Sequence, residues 1–241
     1  MVGRLLGYQV VTGIIRCETG LRIGASSDSL EIGGLDNPII VEPIHGMPYI
    51  PGSSLKGKMR SLLELAEGKF NPNGEPYSGA KNDGSIENCN ISRLFGPHRN
   101  PNHKFGPSRL IVRDAHLTEE WKQLFISRKT ELGNQFLDIK TENTINRNTG
   151  AARHPRHQER VPDGTEFDFE FVLRNFDWNE AFGDEEVDNL RVLADVMVKL
   201  EKDYLGGSGT RGYGKVIFTN VKVDGKPYDI YTRSFIEDGE Q

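Results

Sequence analysis

The order of its periodic segments constrains the fold of this chain more than any other feature. Alternation of apolar and polar residues predicts a strand, whereas apolar residues at three- and four-residue spacing predict an amphipathic helix. In chain order, the sequence predicts a strand at residues 6–14, a helix at 53–67, strands at 108–115 and 165–174, a helix at 187–205 and a strand at 216–223.

The order strand, helix, strand, strand, helix, strand suits an antiparallel sheet with both helices on one face. We therefore expect an α+β fold with a ferredoxin-like, RNA-recognition-motif-like βαββαβ core. Three connections, at residues 17–52, 68–107 and 116–164, far exceed the roughly 4 to 6 residues that usually join elements in compact domains. Long loops on a rigid core often carry function, so we expect binding or catalysis there.

Each predicted helix has start and stop signals. Ser53 or Ser54 is a candidate N-cap for the first helix, and Gly68 is its predicted stop. The second helix opens with acidic residues at 184–186, which complement the helix dipole, and ends at residues 206–207. The predicted apolar face of the first helix comprises Leu55, Met59, Leu62, Leu63 and Ala66.

Several classes of protein are excluded by composition. The sequence has no run of about 18 apolar residues and no secretory leader at its start. Cys17 and Cys89 are too few for a disulfide framework and suit a reducing compartment. We therefore expect a cytoplasmic protein that does not span a membrane.

The distribution of charge is more informative than its sum. A formal net charge of −5 argues against a nucleic-acid partner. However, four windows contain lysine or arginine and no acidic residue, namely 43–63, 88–113, 143–158 and 204–223. Such windows also arise by chance in loops, but four of them favour a polyanion-binding face on an otherwise acidic protein.

A glycine-rich loop follows the second predicted helix. Gly207, Gly209 and Gly212 match two nucleotide-binding patterns, but those patterns require a loop that opens a helix, whereas this loop opens a strand. A structural turn is the alternative for the glycines alone. Together with Arg211 and Lys215, they favour close approach of a phosphate backbone.

One acidic residue stands out in the first long connection. Asp36 lies between the glycine pair at residues 33–34 and Pro38. From the residues alone, an Asx turn is the favoured interpretation of this position, and a catalytic carboxylate is the alternative.

Cysteine and histidine residues in the second connection raise the question of zinc. Cys89, His98 and His103 have the donor types of three zinc ligands, with His116 or Cys17 as a fourth. No C-x-x-C pair anchors the pattern, so ordinary structural positions are the favoured alternative.

Two further histidines lie in the third basic window. His154 and His157, beside Arg153 and Arg156, have the chemistry of a general acid and base acting on RNA. Clusters of this composition more often bind phosphates without chemistry, and that alternative stays open.

Five motifs resemble a known family. They are Leu-Asp-Asn-Pro at 35–38, Tyr-Ile-Pro-Gly-Ser-Ser-Leu-Lys-Gly-Lys-Met-Arg at 49–60, Arg-Leu-Phe-Gly at 93–96, Glu-Asn-Thr-Ile-Asn-Arg at 142–147 and the glycine loop at 206–214. In order and spacing they resemble the RAMP superfamily, and more narrowly the repeated backbone subunit of the type III-A CRISPR effector, the Csm complex.

This resemblance implies a guide-directed endoribonuclease. Copies would stack head to tail along a CRISPR RNA together with other effector subunits, and a thumb hairpin would interrupt the guide:target duplex at regular intervals. Asp36 occupies the position of the Asp that cleaves the target RNA at each interruption, with Mg²⁺ as the expected cofactor. A single carboxylate can hold a hydrated Mg²⁺ but cannot build a two-metal site.

The resemblance also implies a division of the chain. It predicts one RAMP domain over residues 1–241, with the core at about 1–67, 108–117 and 165–225, a lid at 68–107, a thumb at 118–164 and a tail at 226–241. Some relatives hold zinc in the lid, which would add a structural Zn²⁺ at Cys89, His98 and His103.

The predicted RNA contacts follow from the motifs and the basic windows. Arg22 stands where relatives often have another polar residue. The predicted set is Arg22, Ser53, Ser54, Lys56, Lys58, Arg60, Arg147, Arg153, Arg156, Gly207, Gly209, Arg211, Gly212 and Lys215. Two alternatives remain: a catalytically silent guide-binding scaffold, and a standalone metal-independent RNA-processing enzyme that uses His154 or His157.

Overall fold

The computed structural model describes residues 4–24, 38–79, 87, 89–99, 107–132, 136–177 and 188–236. The fold is mixed α/β, with four helices and a main antiparallel sheet. In chain order the elements are β1 (Leu5–Cys17), β2 (Tyr49–Ile50), α1 (Gly52–Ala66), α2 (Asn90–Leu94), β3 (Leu110–Val112), β4 (Ala115–Leu117), α3 (Glu119–Leu132), β5 (Asp138–Ile145), β6 (Ala152–Arg160), β7 (Glu166–Phe176), α4 (Asn189–Lys202), β8 (Val216–Val223), β9 (Lys226–Asp229) and β10 (Ser234–Phe235), with a 3₁₀ turn at Gly209–Arg211.

The main sheet is built around β1, the longest strand. Its order is β10–β9–β8–β1–β7–β4–β2, and β3 also pairs with β7. Every pairing is antiparallel, and Ile15 of β1 lies opposite Phe167 of β7 and Phe218 of β8. β5 and β6 form a separate two-stranded sheet, the hairpin.

The two predicted amphipathic helices pack against this sheet and against each other. α1 contacts α4 and β3, and α4 contacts β8. Leu55 and Met59 of α1 and Leu193 of α4 are fully buried, as is Phe171 of β7. The strand predicted at residues 165–174 is confirmed as β7, and each odd-numbered apolar residue from 167 to 173 is buried. The alternation breaks at Val172, which is also buried.

The start of α1 differs from the prediction. Pro51, not Ser53 or Ser54, is the N-cap residue, and it makes no side-chain capping bond. The cap comes from a distant segment: the Gly52 N–H donates to Asp114 Oδ1 at 2.7 Å. Ala66 is exposed and does not belong to the apolar face.

The second predicted strand is broken in two. Residues 108–115 form only β3, and β4 begins at Ala115, because the turn between them reaches over to cap α1 through Asp114. A Cβ at Gly52 would lie 2.5 Å from the Val112 carbonyl oxygen, so the turn and the helix start are in close contact.

The second predicted helix is shorter than expected. α4 begins after Asp188, whose Oδ1 accepts the Arg191 N–H at 3.0 Å, and ends at Lys202. The acidic residues 184–186 lie outside the described residues. Tyr204 leaves the helix because its ring packs on Gly209, where a Cβ would stand 1.8 Å from Tyr204 Cγ.

Several elements were not predicted from periodicity. They are β2, α2, α3 and the pair β9–β10, which extends the sheet beyond β8. None of the helices in the described ranges is long and apolar enough to cross a membrane.

Candidate functional site

Three segments that contain predicted site residues meet at residues 20–24, shortly after β1. Leu21 pairs with Val161 at the end of the hairpin through two backbone hydrogen bonds of 3.0 and 2.8 Å. The Arg22 carbonyl accepts the Gly207 N–H at 2.8 Å, and the Gly20 carbonyl accepts the Gly214 N–H at 3.0 Å. This short stretch therefore joins the hairpin to the glycine loop.

The third segment is the long loop that begins after Gly24. Gly24 and Ile39 form a β-bridge, and the Ile40 N–H donates to the Ile23 carbonyl at 2.9 Å. The Ile39 N–H donates to Glu159 Oε2 on β6 at 2.9 Å. Asp36 lies outside the described residues, but both ends of its loop are fixed beside the hairpin base.

The glycine loop is shaped largely by contacts within the protein. Gly206 has φ +76° and Gly214 has φ +71°, and a Cβ at either would lie within 2.2 Å of a backbone oxygen. Position 209 requires glycine because the Tyr204 ring occupies the space that a Cβ would fill. Gly212, with φ +85°, has nothing within 4 Å of a Cβ position and faces open space. Gly207 lies against the Arg22 guanidinium, whose Nη1 is 3.4 Å from such a position.

The two cations of this loop have different surroundings. Arg211 Nη1 lies 3.3 Å from Glu142 Oε2 on the hairpin, and Arg211 Nη2 donates to Ser208 Oγ at 2.6 Å. Lys215 is exposed, and its backbone N–H donates to Thr19 Oγ1 at 3.0 Å.

The hairpin tip is the most exposed basic region of the described chain. Arg147, Arg153 and Arg156 are all exposed, and none forms an ion pair with a residue in the described ranges. Arg156 Nη2 donates to Thr144 Oγ1 at 3.4 Å across the hairpin. His154, also exposed, has φ +52°.

The three cations of α1 are largely engaged by the protein. Lys56 Nζ donates to the Leu110 carbonyl at 3.2 Å, and Lys58 Nζ lies 3.3 Å from Asp203 Oδ1. Burial lowers the pKa of the Lys56 ammonium, and the charges of Arg60 and Arg174 lower it further. Ser53 is exposed and Ser54 is half-buried.

Arg60 joins α1 to two residues of the second long connection. Its Nε lies 2.7 Å from Glu64 Oε1, and its two terminal nitrogens donate to the carbonyls of Tyr77 at 2.6 Å and Gly96 at 3.1 Å. The side chain is 14% exposed. Its surroundings are those of a structural arginine, and its predicted role as an RNA contact stays a prediction.

The predicted zinc ligands do not form a metal site in the described part of the chain, where no group of three His, Cys, Asp or Glu side chains is placed to hold a metal ion. Cys89 is buried, and its Sγ accepts the Ser92 N–H at 3.5 Å as the N-cap of α2. His98 is half-buried, and His103 lies outside the described residues.

The proposed fourth ligands have other partners. His116 Nδ1 lies 2.6 Å from Glu42 Oε1, and its ring stacks on Tyr49. Burial raises the pKa of the Cys17 thiol, and nearby Asp163 raises it further. A protonated, buried thiol is unsuited to bind zinc, which requires the thiolate.

Sequence reasoning missed the residues that hold the hairpin to the core. Tyr213 is buried beneath the hairpin, with Lys140 and Arg160 against its ring. Glu142 and Glu159 tie the hairpin to the glycine loop and to the Asp36 loop. The sequence contained a signal for these contacts at residues 138–142. The even-numbered residues there are charged, and they are less exposed than the odd-numbered ones.

Comparisons with known proteins agree on one family. The RAMP superfamily model matches residues 14–217. A protein described as CRISPR system Cms endoribonuclease Csm3 from Methanothermobacter thermautotrophicus is 46% identical over 237 residues, which cover 92% of this chain and 88% of the relative. A protein of the same description from Methanocaldococcus jannaschii is 40% identical and covers 94% of this chain and 85% of its own length.

A solved structure is similar as well. The Csm3–Csm4 subcomplex of the type III-A CRISPR-Cas interference complex contains a chain that matches with a TM-score of 0.52 and 30% identity. The match covers 91% of this chain and 80% of that chain.

Proposed function

The chain belongs to the RAMP superfamily, and from that premise we propose that it is a CRISPR endoribonuclease. In this proposal it binds CRISPR RNA as the repeated backbone subunit of a type III-A effector and cleaves target RNA paired with the guide. The observation that carries the proposal is the meeting of three segments at residues 20–24: the glycine loop, the basic hairpin and the described residues that flank the segment bearing Asp36.

Asp36 is the proposed catalytic residue. Asp36 itself lies outside the described residues. Ile39, three positions further along the chain, is held at the hairpin by the bond from its N–H to Glu159 Oε2 on β6. In this proposal an RNA strand distorted by the hairpin meets the Asp36 carboxylate.

The chemistry requires little from the protein beyond geometry. The 2′-hydroxyl oxygen attacks the adjacent phosphorus, the bond from phosphorus to the 5′-oxygen breaks, and the products are a 2′,3′-cyclic phosphate and a 5′-hydroxyl. Asp36 accepts the 2′-hydroxyl proton, and the departing 5′-oxygen takes a proton from water. The hydroxide so formed takes the proton from Asp36 and restores the carboxylate. The main task of the chain is to turn one nucleotide so that attack and departure are in line.

In this proposal Asp36 would hold Mg²⁺ through a single carboxylate, a mode in which Mg²⁺ keeps most of its water. When bound, the ion would supply positive charge to the scissile phosphate. Structural zinc has weaker support, because Cys89 is engaged as a helix cap.

The proposed RNA contacts divide into two groups. The exposed cations of the hairpin and the glycine loop have room for phosphates, and Arg22, Gly207 and Gly212 border the same surface. Arg147, Arg153 and Arg156 carry charge that no described acidic residue offsets. Lys56 and Lys58, with Ser53 and Ser54, would act from the side of α1.

The finer features of the fold are part of the proposal. The core strands in chain order are β1, then β3 with β4, then β7, then β8. Across the sheet they lie in the order β8, β1, β7, and then β3 and β4, which is fourth, first, third, second. This order supports a ferredoxin-like core. The chain would be one RAMP domain in which residues 118–164 contain the thumb and 68–107 the lid. The proposed partners are CRISPR RNA, target RNA, further copies of this chain head to tail, and the other effector subunits.

The decisive experiment is a reconstitution with partner subunits and a defined guide. Asp36→Ala should lower the rate of target cleavage by about 100-fold or more, while guide and target affinity stay unchanged, because one loop carboxylate contributes little to binding a polyanion. Asp36→Asn, similar in size but uncharged, is the matched control and should be equally inactive.

The same experiment separates the alternatives. A wild-type complex that binds guide and target without cutting identifies a silent scaffold. Cleavage of free precursor RNA by the chain alone, without guide or Mg²⁺ and sensitive to His154→Ala or His157→Ala, identifies an RNA-processing enzyme. An Asp36→Ala complex that cuts at the normal rate contradicts the catalytic assignment.

A further inference from the structure

Tyr213 lies at the contact between the hairpin and the glycine loop. Its side chain is 1% exposed, although Gly212 and Lys215 on either side of it in the loop are exposed. Burial raises the pKa of its hydroxyl, and the neighbouring Glu142 raises it further, so the ring is neutral and apolar at physiological pH. The residue is therefore placed to pack, not to ionise.

Both strands of the hairpin bring a cation to this ring. Lys140 Nζ of β5 lies 4.5 Å from the ring centroid, and Arg160 Cζ of β6 lies 5.3 Å from it. Cations within about 6 Å of an aromatic centroid are attracted by the negative face of the ring, and more strongly where water is excluded. The buried Tyr213 ring thus contacts cations from both strands of the hairpin, β5 and β6.

The other contacts at this junction are more exposed. Arg211 pairs with Glu142 through a side chain that is 52% exposed. Arg160 also pairs with Asp138, at 2.5 Å, and its stem crosses Gly20, where a Cβ would lie 2.5 Å from Arg160 Cδ. The Tyr213 ring is the most buried of these contacting groups.

We propose that Tyr213 is a positioning residue that sets the orientation of the hairpin on the core, through its ring and the two hairpin cations, and thereby the geometry of RNA cleavage. The inference rests on the proposed function. The part of β5 from Lys140 to Ile145 extends about 17 Å, so a tilt of about 10° at the ring moves the far end by about 3 Å. A displacement of about 1 Å in a reacting group can cost about 100-fold in rate.

The test compares Tyr213→Leu with Tyr213→Phe in the reconstituted complex. Leucine keeps the bulk and removes the aromatic face, whereas phenylalanine keeps the face and removes the hydroxyl. At saturating target RNA, Tyr213→Leu should cut at least about tenfold more slowly, equivalent to about 1.4 kcal/mol in the barrier, with guide and target affinity unchanged. Tyr213→Phe should stay within about twofold of wild type. Equal rates for all three proteins overturn the proposal.

A second pair of variants decides the matter if Tyr213→Leu does not fold. Lys140→Met keeps the stem of the side chain and removes its charge, and Lys140→Arg restores a cation. The positioning role predicts a slower rate at saturation for Lys140→Met, with rescue by Lys140→Arg. Weaker affinity with an unchanged saturated rate would instead make Lys140 an ordinary phosphate contact and overturn the proposal.

The orientation of the hairpin on the core can also be measured by a method that does not depend on RNA cleavage. Spin labels on cysteines introduced at Asn148 and Lys226 report the distance from the hairpin tip to the core, and the native Cys17 and Cys89 are buried. Tyr213→Leu should shift or broaden this distance distribution, and Tyr213→Phe should not. An unchanged distribution overturns the proposal. A wild-type complex that fails to cut would count against the proposed function alone, and the distance measurement would still decide the role of Tyr213.

Discussion

Arg60 and Arg153 both lie in acid-free windows, yet their surroundings differ. Arg60 is 14% exposed, pairs with Glu64 and donates to two carbonyls of the second long connection. Arg153 is exposed on β6, opposite Thr144. The charge of Arg60 serves the fold, whereas the charge of Arg153 is free to meet a phosphate.

We predict opposite consequences for the two neutral variants. Arg60→Gln should lower the free energy of unfolding by about 3 kcal/mol, because it leaves Glu64 without its buried partner. Arg153→Gln should leave stability unchanged and reduce the slope of log affinity against log salt by about 0.7 for single-stranded RNA. Denaturant titration and binding at several salt concentrations check both. If Arg60→Gln changed the salt slope as much as Arg153→Gln, Arg60 would be an RNA contact.

The limits of sequence reasoning at this scale are visible on α1. The window at 43–63 correctly located three cations, but the carboxylate beside Lys58 is Asp203, 145 positions further along the chain. A local charge window cannot detect such a partner. Tyr213 was missed for a similar reason, since its cationic neighbours come from the two strands of the hairpin.

At the scale of elements, local periodicity predicted what local forces determine. Strand β7 and the apolar face of α1 around Leu55 and Met59 are confirmed, because each is set by its own sequence. The break between β3 and β4 was not predictable, since Asp114 turns away to cap α1. The early end of α4 was missed because it depends on the Tyr204 ring meeting Gly209.

The hairpin can be shortened as a unit. Replacing residues 144–153 by Asn-Gly, a pair suited to a two-residue hairpin turn, removes the tip and keeps the pairing of Glu142 with Arg156. The exposed tip contributes little to the core, so the denaturation midpoint should be unchanged. Target cleavage should fall by about 100-fold, because an undistorted strand is not in line for attack. A folded, guide-bound variant that cuts at the same positions and rate would contradict the proposed role of the hairpin in interrupting the guide:target duplex.

The C-terminal segment has a tyrosine contact that titrates. Tyr231 Oη donates to Glu201 Oε2 at 2.7 Å, and Glu201 Oε1 accepts the Phe218 N–H at 2.7 Å. Burial and this bond to Glu201 raise the pKa of Tyr231 to about 12, from 10.0. Because the folded pKa is the higher one, the contact stabilises the fold fully below pH 10 and is lost as the pH rises towards 12.

We therefore predict an alkaline loss of stability that Tyr231→Phe lacks. Its size should be below about 1 kcal/mol, since the ring is 58% exposed and solvent screens the contact. Denaturation midpoints at pH 9 and pH 11.5 check it, with Tyr8→Phe, another exposed tyrosine, as the matched control. Parallel losses in wild type and Tyr231→Phe would contradict the role of this contact.

At the scale of the whole molecule, charge segregation was the useful signal and net charge the misleading one. The net charge of −5 is compatible with RNA binding because exposed cations are concentrated on the hairpin and the glycine loop. The meeting of these segments at residues 20–22 was beyond prediction from periodicity, because it depends on backbone bonds between residues far apart in sequence.

The last prediction concerns the proposed head-to-tail assembly. Each copy carries its own Asp36 loop, anchored to its own hairpin through Ile39 and Glu159, so each copy should cut independently. Complexes reconstituted from mixtures of wild-type and Asp36→Ala chains should show cuts at unchanged positions, whose total falls in proportion to the wild-type fraction. Single-turnover mapping of cuts across a mixing series measures this. A control series with a second preparation of wild-type chain should show no change.

A different dependence would have a specific structural meaning. If cleavage at a site required carboxylates from two neighbouring copies, activity would follow the square of the wild-type fraction, and an equal mixture would retain about one quarter of the cuts instead of about one half, by the simple product of two independent occupancies. A linear series therefore shows that each cut needs one Asp36 carboxylate, and a quadratic one shows that carboxylates from two neighbouring copies act at one site across the proposed head-to-tail interface.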